Sequence, residues 1–322
     1  MRRWKWTADA GLYAFGHFLV DLCCALTMLS LSTDPWHFLL YNFLAFAVQM
    51  PIGLLADLLA RNQRFAMLGG ILVLIGMLPL GATLQVICVG FGNACYHVGG
   101  GRAALLREDG LTGLGVFVSP GALGILLGTL YYSIGWIHIV SFFSLALCSF
   151  LIWKNCRETG HTVSSRKFQP LPAVLMFVVV LLRSTVGMCM ETPWKLGIFI
   201  ILAAIAAAGG KALGGIVADR FGWKITATIS LVAAAILFLL PDFGMVGIFG
   251  ILLFNMTMPI TLGKAAEACY GFEGFSFGLL TFGLFLGYLP SAFGITFSSF
   301  VGAGLALISA GLILVAPEVS DG

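Results

Sequence analysis

Ionisable side chains inside long apolar stretches are the residues of this sequence that could do chemistry. His17 and Asp21 lie four positions apart in the first apolar stretch, so a helix would place them on one face. His97 lies near the middle of the fourth such stretch. Because an ionisable group is costly inside a bilayer, each of these residues suggests a function. Imidazole titrates near neutral pH, so the set could carry protons, although each histidine could equally be a hydrogen-bonded packing residue.

Arg102 and the Lys264–Glu267 pair are further ionisable groups near the ends of apolar stretches. Arg102 follows His97 by five positions, after three consecutive glycines, and its long side chain could instead reach the membrane surface. Lys264 and Glu267 lie three positions apart, so they could simply pair on one helix face. The residues that we predict for proton coupling, with Asp21 as the carrier, are Asp21, His17, His97, Arg102 and Glu267.

Polar residues in the later half of the chain predict a substrate cavity. Arg183, Lys211 and Asn255 lie inside three different apolar stretches. Two cations in a membrane cavity would favour an anionic or carboxylate-bearing small molecule as the substrate. The alternative is that either cation neutralises a buried acid.

The composition places almost the whole chain in a lipid bilayer. Hydrophobic residues make up 60% of the 322 residues and charged residues 10%, and the mean hydropathy is +1.02. Soluble domains carry about 25% charged residues, so a soluble protein is excluded. The sequence has no phosphate-binding loop and no serine nucleophile elbow, so we do not expect an enzyme, and we expect no nucleic-acid partner.

The sequence predicts neither a metal site nor a cofactor. The histidines and carboxylates are dispersed along the chain, and the eight cysteines show no ligand spacing. We interpret the cysteines as small packing residues. The first residues lead directly into the stretch that contains Asp21 and lack a small-residue cleavage site, so no removable signal peptide is expected.

Apolar stretches long enough to cross a bilayer recur along the whole chain. A helix needs about 20 mostly apolar residues to span the hydrocarbon core. The pattern predicts an all-α membrane protein with twelve spans. A ten-span alternative stays open, because the stretches within 64–106 and 273–316 have almost no loop between them. The twelve predicted spans are 8–31, 37–57, 64–82, 84–106, 111–131, 134–153, 171–190, 195–218, 223–241, 244–266, 273–293 and 296–316.

One long loop divides the chain, and the basic residues give its orientation. We predict an N-terminal six-helix bundle at 1–153, a cytoplasmic linker at 154–170 and a C-terminal six-helix bundle at 171–322. Lys and Arg collect on the cytoplasmic side of membrane proteins, which predicts that both termini are cytoplasmic and that the protein lies in the plasma membrane. The predicted outer loops hold Lys195 as their only basic residue, beside the acids Asp34, Glu191 and Asp242. The predicted inner segments hold Arg2, Arg3, Lys5, Arg61, Arg64, Arg107, Lys154, Arg157, Arg166, Lys167, Arg220 and Lys224.

A short pattern occurs twice, each time where one span ends and the next begins. Asp57 and Asp219 both follow Gly-x-x-Ala, and they lie 162 positions apart, about half the length of the chain. An internal repeat of spans is typical of secondary transporters. Glycine permits close helix approach, and an aspartate followed by basic residues could form a charged contact between neighbouring helices that opens and closes. The residues that we predict for this gating motif are Gly53, Asp57, Arg61, Arg64, Gly215, Asp219, Arg220, Gly222 and Lys224.

The repeated pattern resembles the signature loop of the major facilitator superfamily, G-x-L-A-D-R-x-G-R-K. The second copy matches it well, whereas the first departs after Asp57, where Leu58-Leu59-Ala60-Arg61 replaces the Arg-x-Gly turn. The resemblance implies two pseudo-symmetric six-helix bundles around a central cavity, alternating access and a monomer. An aspartate in the first span facing an arginine in the fourth, here Asp21 and Arg102, is similar to the proton-coupling arrangement of many antiporters in that superfamily.

The fifth predicted span carries a second resemblance. Its sequence Gly115-Val116-Phe117-Val118-Ser119-Pro120-Gly121-Ala122-Leu123-Gly124 is similar to the antiporter motif G-x-x-x-G-P-x-x-G-G, with two of the glycines replaced. The fourth and seventh spans also resemble those of the fosmidomycin-resistance group of drug exporters. Together with the repeated motif, these resemblances imply a secondary active transporter that moves a small solute and is coupled to protons, with the direction of transport left open. The alternatives are a facilitative uniporter and a non-transporting receptor or assembly factor, in which the charged residues would pair off and leave no hydrated cavity.

Overall fold

The computed structural model describes residues 8–31, 34–106, 110–158, 160, 168–240 and 244–319. Some of the residues used for the predicted orientation lie outside this part of the chain, so the structure says nothing of them. They are Arg2, Arg3, Lys5, Arg107, Arg166, Lys167 and Asp242.

The described residues are almost entirely helical. Those before the long loop form α1 (Ala8–Leu31), α2 (Pro35–Asn42), a π-helical turn (Phe43–Ala47), α3 (Gln49–Leu59), α4 (Asn62–Gly76), α5 (Ala82–Leu105), α6 (Gly110–Tyr131) and α7 (Gly135–Asn155). Those after it form α8 (Pro170–Cys189), α9 (Ile198–Phe221), α10 (Trp223–Leu239), α11 (Gly244–Asn255), α12 (Thr257–Ala268), α13 (Glu273–Ala292) and α14 (Ser299–Val315).

These helices make a multi-pass membrane protein. Eight helical segments of the described chain are long and apolar enough to cross a bilayer, and three shorter apolar helices accompany them. Large hydrophobic side chains such as Trp136, Phe143 and Phe300 are exposed on the outer surfaces of the helices. An apolar exterior of this kind requires lipid rather than water as its solvent.

Two of the predicted spans are interrupted, and proline explains both interruptions. A proline ring clashes with the carbonyl four residues earlier and supplies no N–H group. Pro51 therefore disturbs the helix at Ala47, where the π-helical turn ends, and Pro259 disturbs it at Asn255, where α11 ends. In both cases the chain continues as a helix after a break of one residue, at Val48 and at Met256.

The predicted boundaries agree with the observed helices to within a few residues at most positions. The main exception is α4, which ends at Gly76 rather than at 82, because Pro79 and the left-handed Gly81 lie in the loop that follows. α4 and α5 are therefore separate helices, and so are α13 and α14, contrary to the merged helices that the ten-span alternative would require.

Two helix pairs form the most extensive contacts between the earlier and later parts of the chain. α6 packs against α9, and α3 packs against α13, while α12 also contacts α6 and α13 also contacts α5. Glycines permit both approaches: a Cβ on Gly115 or Gly215 would collide with the backbone across the α6–α9 contact, and one on Gly53 or Gly278 would collide with the backbone across the α3–α13 contact. Small residues let helix backbones approach closely, so these two contacts are tight.

Candidate functional site

Asp57, the first repeated aspartate, is buried where α3 meets α13. Its two carboxylate oxygens accept hydrogen bonds from the backbone amides of Gly274 (2.9 Å) and Phe275 (2.7 Å), in the first turn of α13. The first amides of a helix have no partner within the helix and carry its positive dipole end, so a carboxylate stabilises them. Arg102 Nε donates to Asp57 Oδ1 at 2.8 Å, and both side chains are 1% exposed. We call Asp57, Arg102 and these two amides the Asp57 site.

Arg102 therefore has a different acid as its partner from the one predicted. The superfamily resemblance implies a pairing with Asp21, whereas the structure pairs Arg102 with Asp57. Arg102 lies in the last turn of α5, and Asp57 lies in the last turn of α3, so the two residues are at the same depth. The distance of Arg102 from the end of its span was the signal that could have identified this partner.

Asp219, the second repeated aspartate, makes the corresponding contact at the start of α6. Its carboxylate accepts from the backbone amides of Leu111 (3.0 Å) and Thr112 (2.8 Å), and from the Thr112 hydroxyl (2.6 Å). Asp219 is exposed, and it forms no ion pair within the described part of the chain. We call Asp219, the two amides and the Thr112 hydroxyl the Asp219 site.

The two sites are reciprocal. Asp57 lies before the long loop and caps a helix that follows it, whereas Asp219 lies after the loop and caps a helix that precedes it. The glycine four residues before each aspartate, Gly53 or Gly215, lies against the backbone of the same capped helix. Each aspartate therefore accepts from the first amides of a helix packed against its own, and each joins the two parts of the chain rather than two helices that are consecutive in the sequence. We call the end of the molecule that holds both sites the aspartate end.

The basic residues of the repeated pattern do not neutralise these aspartates. Arg64 lies 3.8 Å from the Glu158 carboxylate, and Lys224 lies 3.6 Å from that of Glu318. The Arg220 guanidinium lies 5.3 Å from the ring centroid of Phe221. Arg61 precedes α4 and is exposed, and Gly222 forms the turn between α9 and α10 with φ 93°.

His17, Asp21 and His97 converge in the interior, between α1 and α5. His17 Nε2 lies 3.2 Å from Asp21 Oδ2, His97 Nε2 lies 3.6 Å from Asp21 Oδ1, and the two Nε2 atoms are 2.8 Å apart. All three residues are at most 8% exposed. The prediction that the histidines and carboxylates are dispersed was therefore wrong, because residues 80 positions apart in the sequence meet across two helices. We call these three residues the His–Asp cluster.

The His–Asp cluster has more acceptors than donors. His17 Nδ1 lies 2.7 Å from the carbonyl of Phe117, and His97 Nδ1 lies 2.9 Å from that of Asn93. A carbonyl oxygen only accepts, so each Nδ1 must carry a hydrogen, and each Nε2 of a neutral ring then presents a lone pair. Two lone pairs and a carboxylate consequently face one another and repel one another. A proton or a cation added among them would remove this repulsion.

Asn93 and Gly121 complete the cluster, a role that was not predicted for either residue. Asn93 Nδ2 donates to Asp21 Oδ1 at 3.0 Å, while Asn93 Oδ1 is buried without a hydrogen-bond partner among the described residues. A Cβ on Gly121 of α6 would collide with Asp21 Oδ2 and His17 Nε2, so the glycine lets the α6 backbone pack directly against these atoms. Asn93 lies one helical turn before His97, a spacing that could have indicated a shared face.

A cavity of about 410 Å³ opens at the end of the molecule opposite the aspartate end. Its walls come from α6 before the long loop and from α8, α9, α10 and α11 after it, together with Thr192 and Lys195 between α8 and α9. Of the three predicted cavity residues, Asn255 lies in the wall. Arg183 and Lys211 do not line it, but each lies one helical turn further toward the aspartate end than wall residues of α8 and α9.

Arg183 and Lys211 carry charge that the described acids leave largely uncompensated. Arg183 is 8% exposed, and its Nε is buried without a hydrogen-bond partner among the described residues. Lys211 is half-buried, and it interacts electrostatically with both Arg183 and Asp21. Helical side chains point toward the start of their helix, which directs Lys211 from α9 back toward the cavity wall at Ala207.

Glu267 does not belong to the His–Asp cluster. Its carboxylate lies 2.6 Å from Lys264 Nζ, and its side chain is 44% exposed. The local ion pair, which was the alternative stated for these two residues, is therefore what the structure shows. Glu267 has no contact with Asp21 in the described chain, so its predicted place in a proton pathway has no structural support.

Solved structures with the same fold are membrane transporters. The human organic anion transporter MFSD10 (TETRAN) superposes with a TM-score of 0.72 at 11% sequence identity, covering 97% of this chain and 99% of that one. A variant of the Escherichia coli fucose:proton symporter FucP superposes with a TM-score of 0.64 at 13% sequence identity, covering 95% of this chain and 97% of that one. FucP in its outward conformation has a TM-score of 0.63 at 12% identity, covering 96% of this chain and 97% of that one. No protein-family model matches the chain, and no curated protein does. The chain therefore has the major facilitator superfamily fold.

Proposed function

We propose that this protein is a secondary transporter that moves a small anionic solute across the membrane by alternating access. The observation that carries the proposal is a cavity walled by both parts of the chain, with Arg183 and Lys211 between it and the aspartate end. A transporter needs a central site that one end of the molecule can close. The reciprocal Asp57 and Asp219 sites supply such a closure.

The architecture that we propose has twelve spans in two bundles. When the chain from α2 to α3 is counted as one span, and α11 with α12 as another, six spans precede the linker 154–170 and six follow it. The bundles are then 1–153 and 171–322, and they would rock against each other along the α3–α13 and α6–α9 contacts. With both termini cytoplasmic, the aspartate end lies on the cytoplasmic side of the plasma membrane. We expect the protein to act as a monomer.

The choice of an anion rests on the balance of buried charge. Arg102 and Lys264 have carboxylate partners, whereas neither Arg183 nor Lys211 has an ion pair with a described acid. An unpaired buried charge is costly, and a bound anion would offset that cost. The description of MFSD10 as an organic anion transporter agrees with this choice. A receptor whose charged residues all pair off would not leave these two cations available.

Protons are the coupling ion that we propose, with Asp21 as the carrier. The His–Asp cluster has three converging acceptors and needs an added donor, and one proton shared among the three residues would supply it. The description of FucP as a proton symporter is consistent with this role. The resemblance of α6 to an antiporter motif favours exchange of protons for substrate. In a facilitative uniporter, the alternative, the cluster would have no influence on accumulation.

Ligand binding by the purified protein tests the anion proposal. A panel of small mono- and dicarboxylates, with uncharged analogues of the same size, would be screened by thermal unfolding, because a ligand that binds the folded state raises its melting temperature. We expect a carboxylate to stabilise the wild type and to lose its effect in Arg183→Gln and in Lys211→Gln. Lys264→Gln is the matched control and should respond like the wild type. Stabilisation by the uncharged analogues alone would contradict the proposal.

Reconstituted vesicles test the coupling proposal with the anion found in that screen. We expect Asp21→Asn to abolish accumulation driven by a pH gradient and to leave exchange of labelled for unlabelled substrate intact. The wild type serves as the control for both assays. An Asp21→Asn protein that still concentrates substrate under a pH gradient would show that Asp21 does not couple transport to protons.

A further inference from the structure

We propose that the His–Asp cluster is also a binding site for one divalent first-row transition ion, of the chemical class of Zn²⁺ and Co²⁺. His17 Nε2, His97 Nε2 and one carboxylate oxygen of Asp21 are the three protein ligands, and one position on the ion is left for water or substrate. The ion would compete with the proton of the proposed coupling mechanism for the same three residues. Binding itself depends only on the geometry, so it stands apart from the proposed transport.

The spacing of the donor atoms agrees with such an ion. Ligands at about 2.0–2.1 Å from a tetrahedral Zn²⁺ lie about 3.3 Å from one another. The two Nε2 atoms are 2.8 Å apart, and they lie 3.2 Å (His17) and 3.6 Å (His97) from the nearer Asp21 oxygen, so the three distances lie on both sides of that value. The three donors come from two rigid helices, so shifts of a few tenths of an ångström would equalise them.

The surroundings of the ligands are those of a metal site. Metal-bound histidines commonly donate their other ring N–H to a backbone carbonyl, which fixes the tautomer and turns the free lone pair toward the ion. Both histidines do this, His17 with Phe117 and His97 with Asn93. The Asn93 amide in turn holds Asp21 with its Nδ2. The cluster thus has an ordered second layer of hydrogen bonds around all three ligands.

One further group beside the ligands could serve a metal-bound water. The buried Asn93 Oδ1, which has no partner among the described residues, is an acceptor that such a water could use. On the other side of the cluster, Gly121 lets the backbone of α6 pack directly against Asp21 and His17, where a Cβ would collide with both side chains. These two observations do not depend on the arrangement of the three ligands themselves.

The ligand set also selects the class of ion. Two imidazoles and one carboxylate suit Zn²⁺, Fe²⁺, Co²⁺ and Ni²⁺, whereas Mg²⁺ and Ca²⁺ prefer oxygen ligands throughout. Lys211 interacts electrostatically with Asp21 and His97 and so disfavours a cation in the cluster. An anion bound near Lys211 would offset that repulsion and would strengthen metal binding.

Cobalt titration of the purified full-length protein tests the proposal, because Co²⁺ reports its coordination through visible d–d absorption. We expect one Co²⁺ per protein, intense tetrahedral bands, and displacement by Zn²⁺ but not by Mg²⁺. His97→Ala and Asp21→Asn should abolish the bands. Asn93→Ala should weaken binding about 10- to 100-fold, as is usual for loss of a group that orients a metal ligand.

Three variants serve as controls. His37→Ala and His138→Ala remove histidines outside the cluster and should bind Co²⁺ like the wild type. Gly121→Ala keeps all three ligands, but its methyl group would collide with Asp21 and His17 and displace them, so we expect it to bind Co²⁺ at least about 10-fold more weakly. Melting temperatures without metal identify any variant that fails to fold.

Several results would overturn the inference. One is that the folded wild type binds no Co²⁺. Another is that the d–d bands survive in folded His97→Ala. A third is a sulfur charge-transfer band, which would show that a cysteine is the ligand. Absence of metal binding, with Asp21→Asn still abolishing proton-driven accumulation, would contradict this inference and leave the proposed transport intact. Metal binding by a protein that binds and moves no anion would contradict the proposed transport alone.

Discussion

The Asp57 and Asp219 sites perform the same structural task with different surroundings. In each, an aspartate at the end of one helix caps the start of a helix from the other part of the chain. Asp57 is 1% exposed and is paired with the equally buried Arg102. Asp219 is exposed, and among the described residues it is held by two amides and a threonine hydroxyl.

The difference shows that agreement with a sequence pattern does not measure the strength of a contact. The second copy matches the superfamily signature closely and forms the exposed site. The first copy has lost the Arg-x-Gly turn, yet it forms the buried site, in which Arg102 of α5 supplies the positive charge. Removing one partner of a buried ion pair costs much more stability than removing an exposed helix cap. We therefore expect the Asp57 site to be the main closure and the Asp219 site to open more easily.

The largest effect is expected for Asp57→Asn. This change removes one carboxylate from a buried ion pair, and breaking such a pair typically costs about 3–5 kcal/mol. The melting temperature in detergent should fall far more than for Asp219→Asn. Arg102→Leu combined with Asp57→Asn removes both charges and should recover part of the loss. Equal melting temperatures for the two single aspartate variants would contradict the ranking of the sites.

Chemical labelling of Cys269 would report the separation of α13 from α3 when the Asp57 site opens. Cys269 lies four residues before Glu273, the first residue of α13, and burial raises the pKa of its thiol to about 12, so the wild type should react slowly with a maleimide. We expect faster labelling of Cys269 in Asp57→Asn than in Asp219→Asn, in a background with the half-exposed Cys88 replaced by serine. Labelling that is unchanged in Asp57→Asn would show that α13 stays in place without the carboxylate.

The glycines of the two sites should be equally sensitive, unlike the aspartates. A Cβ on Gly53 would collide with the backbone of Gly274, and one on Gly215 would collide with that of Leu111. Overpacking of a tight contact costs about 1–3 kcal/mol. Gly53→Ala and Gly215→Ala should therefore lower the melting temperature by similar amounts. Gly209→Ala, where a Cβ meets nothing, is the control.

A smaller effect is expected at the exposed site. Loss of an aspartate cap typically costs about 1 kcal/mol. Asp219→Ala should lower the stability by about that amount, and Thr112→Val, which removes only the hydroxyl donor, should lower it by less. Thermal unfolding at low and high salt would separate the two contributions, because salt screens an exposed charge but not a neutral hydroxyl. A loss in Asp219→Ala as large as that in Asp57→Asn would mean that exposure does not weaken the site.

The smallest effect concerns the turn that follows each aspartate. Ala60 and Gly222 both lie three residues after their aspartates, and both have positive φ, 51° and 93° respectively. The left-handed conformation costs a residue with a Cβ about 1–2 kcal/mol, and a more flexible unfolded chain offsets part of any gain from glycine. Ala60→Gly should therefore stabilise the protein by up to about 1 kcal/mol. Gly222→Ala should destabilise it, and changes of the same sign in both variants would contradict this account.

The helices were predictable from the sequence, and their interruptions were less so. Runs of apolar residues define helices within a membrane, and the repeated aspartates were found because both halves of the chain keep them. The π-helical turn before Pro51 and the break before Pro259 were missed, because proline within a transmembrane helix permits several local outcomes. Ala60 was taken as a lost turn, but the surrounding contacts impose the left-handed conformation on it.

The candidate site residues were singled out one at a time, but their partners were not. His17 and Asp21 share one helix face, which spacing alone predicts. The approach of His97 to both of them depends on how α1 and α5 pack, and this packing has no local signal. Arg102 was assigned to the wrong acid because the order of helices around the bundle decides which residues meet. Gly121 and Asn93 were missed because their roles are to permit a close approach and to orient a neighbour.

The distance between the two parts of the chain at the aspartate end tests the central claim most directly. Spin labels on cysteines introduced at Lys154, before the long loop, and at Phe272, before α13, would report that distance by pulsed electron resonance in lipid nanodiscs. Both positions are exposed. We predict a short distance in the wild type, a large shift of the population to longer distances in Asp57→Asn, and a smaller shift in Asp219→Asn. Identical distributions in all three proteins, or a larger shift in Asp219→Asn, would contradict the claim that Asp57 is the main closure between the two parts of the chain.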